Sequence, residues 1–161
     1  MAARTGDGGR WAPMSEQPIP YQYFLLRAVP RPEREEFLNV GVVLYAEDLD
    51  ALAVAWHVDA DRLRALDPRL DLDALRLALD HLQATATGGG SAGMARARRR
   101  GALFGWLAAP RSTLVQPGPV HGGVCLRTPH GSGAGDPESD HDVDPLTATL
   151  AHLMTRHVLL P

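Results

Sequence analysis

The chain has 161 residues, 45% of them hydrophobic and 22% charged, a size that fits one domain whose core needs neither metal nor disulfide. Its formal charge of −3 and pI near 6.1 remove any global electrostatic reason to bind nucleic acid or an anionic membrane. All 16 basic residues are arginine, so a Walker A phosphate loop, Schiff-base chemistry and a kinase-type ATP-binding lysine are excluded together.

Residues 1–19 carry Gly6, Gly8, Gly9, Pro13 and Pro18 with few apolar residues, and read as a disordered leader ahead of a single domain over 20–161. Gly6, Asp7, Gly8 and Gly9 stand where a signal peptide needs an apolar run, and no later stretch approaches a membrane span. The expected location is cytoplasmic, which the single cysteine, Cys125, also suits.

Tyr21 to Val29 predicts a buried strand ended by Pro30-Arg31-Pro32, and Phe37 to Tyr45 a second strand with a bulge or close backbone approach at Gly41. Ala51 to Val58 returns as an alternating segment after the polar Glu47 to Asp50, so the second and third strands form a hairpin. The period then changes. Asp59 and Asp61 cap a short helix through Leu66, and Asp71 caps a second with Leu72, Leu75, Leu79 and Leu82 at helical spacing.

Gly88 to Gly93 opens a loop that ends in Arg96, Arg98, Arg99 and Arg100, and Ala102 to Ala109 predicts a short buried helix or turn stopped by Pro110. Ser112 to Gln116 and Val120 to Leu126 are strands split by Pro117-Gly118-Pro119, and Pro145 to Leu159 closes the chain as an amphipathic helix. Strands that cluster, with about four helices, give an α+β class: a mainly antiparallel sheet with an N-terminal hairpin in a two-layer arrangement.

Complete chemical motifs are missing. Gly89-Gly90-Ser91-Ala92-Gly93 spells a nucleophile elbow, but a helix precedes Ser91 and no strand lies near, so the segment reads as a linker. The Arg96 to Arg100 cluster has no interleaved aromatic residues for base stacking, and nucleic acid is not expected as a partner. Seven histidines give no ligand pair at helical spacing: His152 and His157 lie about 140° apart round a helix. His130, His141, Asp142 and Asp144 share a polar loop without the pattern of a metal site, so neither metal nor cofactor is expected.

One constellation remains: Arg27, Glu36, Asn39, Arg111, Ser112, His121 and Glu33. Arg27 interrupts an apolar strand, and a buried unpaired charge is costly, which makes Glu36 across the hairpin its expected partner. The structural reading is a fastening between strands. The catalytic reading makes Glu36 a general base, Asn39 its orienter, and Arg27 and Arg111 anion clamps for a phosphorylated or nucleotide substrate.

Tyr21 to Pro30 and Glu35-Glu36-Phe37-Leu38-Asn39-Val40-Gly41-Val42-Val43-Leu44-Tyr45 resemble the opening of the bacterial family known as domain of unknown function 3037. Phe104 to Leu107, Ala109 to Ser112 and Pro119-Val120 are similar to its second block. The family pattern places glycine where this chain has Glu35, just before the second strand. No chemistry is assigned to the family, but the resemblance implies a neighbouring HipA-like kinase and hence a protein partner. The expected function is therefore a non-enzymatic binding or adaptor domain, for which a symmetric homodimer is one expected assembly. The enzyme on a phosphorylated or nucleotide substrate is the alternative.

Overall fold

A computed structural model describes residues 17–88, 100–111, 113–126 and 144–160. The leader residues 1–16, Ser91, Arg96, Arg98, Arg99, Ser112, His130, His141 and Asp142 lie outside them. Eleven elements follow one another as β1 (Pro18–Arg31), a 3-10 turn, β2 (Glu36–Ala46), a second 3-10 turn, β3 (Ala51–Trp56), α1 (Ala60–Leu66), α2 (Leu72–Thr87), α3 (Arg100–Ala108), β4 (Val115–Pro117), β5 (His121–Leu126) and α4 (Pro145–His157). None of the described helices is long and apolar enough to cross a membrane.

β1 is the centre of an antiparallel sheet. One side of it pairs with β2, which pairs with β3; the other side pairs with β5 over Pro18 to Tyr23 and with β4 over Leu26 to Ala28. β4 and β5 thus form one interrupted edge, joined where the Gly118 N–H donates to the Leu25 carbonyl at 2.8 Å. Strand β1 begins two residues ahead of the leader boundary expected from sequence, because Ile19 is buried against Cys125 on β5.

The α+β class stands, but the layering differs from the two-layer expectation. Phe24, Leu26, Val40 and Val43 face a core built with α1, α2 and α3, whereas Leu25, Val42 and Leu44 face a second core closed by Leu146, Leu153 and Met154 of α4. Period-two alternation on strands apolar at every position creates two apolar faces, and each needs a cover. α1 and α2 start at the caps expected from sequence: the Asp59 side chain accepts from the Arg62 N–H, and Asp71 accepts from the N–H groups of Asp73 and Ala74.

Asp67, the one buried charged residue among the described residues, ties the cap of α1 to the end of β1. Arg31 Nε donates to Asp67 Oδ2 at 3.0 Å, and the Arg69 N–H donates to Asp67 Oδ1 at 3.0 Å. The Arg31 hydrogen bond, then the Arg69 N–H, hold the Asp67 carboxyl below its ordinary pKa.

Glu35 takes φ 55° and closes the first 3-10 turn with its N–H on the Pro32 carbonyl. Left-handed backbone costs a residue with a Cβ about 1–2 kcal/mol, part of which glycine returns through the entropy of the unfolded chain. Glu35→Gly is therefore expected to stabilise the protein by about 0.5 kcal/mol, read in thermal unfolding as a rise of about 2 °C. A lower melting temperature would contradict that account of the turn.

Candidate binding site

The four residues singled out from sequence do not meet in one pocket. Glu36 pairs in register with Arg31 at the turn end of the β1–β2 hairpin, and its carboxylate accepts from Arg34 Nη2 at 2.8 Å on the surface. Arg27 lies four residues further along β1, about 13 Å away at strand rise, opposite Asn39. The expected Arg27–Glu36 pair is therefore not formed. A register shift between Leu26 and Arg27, which makes Val40 the extra residue of β2, sets Asn39 there.

Arg27 and Asn39 share the face covered by α4. The Arg27 guanidinium stacks 4.3 Å from the Phe37 ring centroid, and its Nε is buried with no hydrogen-bond partner. Gly118 leaves room for it: a Cβ there would sit 3.1 Å from Nε and 3.2 Å from Cζ. Asn39 Nδ2 donates to the His157 carbonyl at 3.3 Å, while Arg62 Nη1 donates to the Val158 carbonyl at 3.4 Å. These two side chains satisfy carbonyls that the end of α4 leaves open, so Asn39 ties the last helix to the sheet. His121 and His157 flank the Tyr23 ring at 5.3 and 5.9 Å between centroids. Burial, then the charge of Arg156, lowers the His157 pKa. Among the described residues no group of three or more His, Cys, Asp or Glu side chains could hold a metal ion.

Arg111 is on the other face of the sheet. There α2, α3 and the segment entering β4 enclose a groove of about 460 Å³, within the size range of small-molecule sites. Ala74, Ala78 and Leu82 form its α2 wall, and Leu107 and Val115 lie across from them. Trp106 stands at the rim, 47% exposed, where the sequence predicted a buried helix. The α3 turn is apolar nearly all round, so its pattern does not tell Trp106 from the inward Leu103, Phe104 and Leu107. Arg111 packs on it: Cζ lies 4.1 Å from the indole centroid, and Nη2 donates to the Trp106 carbonyl at 2.7 Å. The cue was Pro110, which stops α3 and returns the chain across its last turn.

A family model described as protein of unknown function (DUF3037) matches residues 23–130. The chain belongs to this family. The match runs from within β1 through β5, and so includes Arg27, Glu36, Asn39, Arg111 and the groove of this DUF3037 member. No curated protein and no solved structure matches the chain.

Proposed function

We propose that this DUF3037 chain is a non-enzymatic binding domain that pairs with a partner protein through the β5 edge. The observation that carries the reading is the exposure of Val120, Val124 and Leu126, at 48%, 60% and 53%, on and beside an edge with no strand on its outer side among the described residues. Edge strands are ordinarily blunted with charged residues or proline, and β5 itself has neither. An extended segment of a partner can add to such an edge, drawing affinity from main-chain hydrogen bonds and specificity from the alternating side chains.

The contacts of the other candidates support binding over catalysis. Glu36 is engaged by Arg34, Asn39 by α4 and Arg111 by Trp106, so the carboxylate that a general base requires does not stand beside Arg27 or Asn39. The HipA-like kinase implied by the family resemblance is the partner to test.

Size-exclusion chromatography with light scattering on the mixed, purified proteins checks the reading. A one-to-one complex is expected at micromolar concentration, with Val124→Glu weakening it at least tenfold, since a charge enters the apolar half of the edge. A chain that stays monomeric with the kinase, or that only self-associates through the edge, overturns the kinase assignment.

A further inference from the structure

We infer that the groove between α2 and α3 is a second, separate binding site, for a small amphiphile that carries one carboxylate on an apolar body. The groove offers few groups to a polar ligand atom. The Thr85 hydroxyl donates to the His81 carbonyl at 2.8 Å and the Thr113 hydroxyl to the Val115 carbonyl at 2.6 Å, so neither has a proton left to donate to an anion. What remains is Arg111, with His81 at the exposed rim.

Arg111 is prepared for this role. Its stacking on Trp106 and its one hydrogen bond to the Trp106 carbonyl fix the guanidinium plane, while only one of its five N–H groups is used in that bond. No carboxylate lines the groove, and Arg111 forms no ion pair among the described residues. A guanidinium held in place loses less entropy on meeting a carboxylate than a free one, and the planar fork matches both oxygens.

The rest of the groove is lined mostly by apolar side chains. Its α2 wall from Ala74 to Thr85 runs about 16 Å at helical rise, and the small side chains of Ala74 and Ala78 keep it open along that length. An extended peptide laid there would bring N–H and C=O groups that find no free partners, whereas an alkyl or aryl body asks for none. One fixed cation in an otherwise apolar groove selects a ligand with a single anionic group.

Isothermal titration of the full chain with sodium decanoate, below its micellar concentration, tests this against decan-1-ol of the same length. One saturable decanoate site per chain is expected, with decanol bound at least tenfold more weakly. Arg111→Gln should cost decanoate about tenfold, the scale of one charge-assisted contact, and leave decanol unchanged. Ala74 is exposed on α2, so Ala74→Trp fills the groove without entering the core and should abolish both. The inference falls if decanoate does not saturate, if decanol binds equally well, or if Arg111→Gln binds like wild type. A helical peptide of Glu and Leu that saturates the chain where decanoate does not would give the groove to a protein segment instead. The kinase complex at β5 does not depend on any of these results.

Discussion

Gly41→Ala is expected to destabilise the protein by about 3 kcal/mol, the upper range for overpacking a filled core, and to lower its melting temperature by about 8 °C. Gly41 is buried in β2, between β1 and β3, opposite Leu26 on one side and Trp56 on the other. A Cβ at this position would come within 2.7 Å of the Ala55 carbonyl oxygen, 2.9 Å of the Trp56 Cβ and 3.0 Å of the Leu26 Cδ1. Leu26 can turn aside at some cost. The carbonyl oxygen cannot, because it belongs to the backbone of the paired strand β3. Relief requires β2 and β3 to separate, and that loosens the ladder on which the core of α2 and α3 rests. Thermal unfolding followed by far-UV circular dichroism measures the shift; a change within 1 °C would mean that β3 yields, and that the close approach does not constrain the sheet.

The same glycine shows how far the sequence can be read. Its place in an apolar strand signalled a bulge or a close approach, and the structure has both: Val40 is the extra residue and Gly41 the near contact. Element types were legible because alternation gives way to leucines at helical spacing after Asp59, and because Asp59 and Asp71 are cap residues at those junctions. Pairing was less legible. Arg27 was matched to Glu36 because both are charged and near in sequence, yet a hairpin aligns residues by distance from its turn, which puts Glu36 opposite Arg31. The compensation expected for Arg27 is found instead between Arg31 and Asp67, 36 residues apart, and no local pattern announces a contact between a strand end and a helix cap. The groove was invisible for a related reason. Its walls come from α2, α3 and the entry to β4, and Trp106 reads as one more apolar residue until the packing of α3 shows which side faces out.

Phe24→Ala should cost about 4 kcal/mol, a large share of the 5–15 kcal/mol by which a domain of this kind is stable. Phe24 is wholly buried on β1, and its ring meets that of Phe104 on α3 at 5.3 Å between centroids; Phe104 in turn stacks on Tyr45 at 5.6 Å. Truncation removes the transfer energy of the ring, leaves a cavity that strand backbone cannot close, and strands the aromatic partner. The loss should extend beyond the face on which Phe24 lies. β1 also carries Ile19 and Leu25, whose side chains enter the second core with α4, so the two cores share one strand and cannot melt independently. Near-UV and far-UV circular dichroism are therefore expected to fall together, in a single transition displaced by about 10 °C, while Leu126→Ala on the exposed β5 edge moves it by less than about 1 °C. Two separated transitions in the Phe24→Ala protein would show that α4 and its core hold without the opposite face, and that β1 does not couple the two layers.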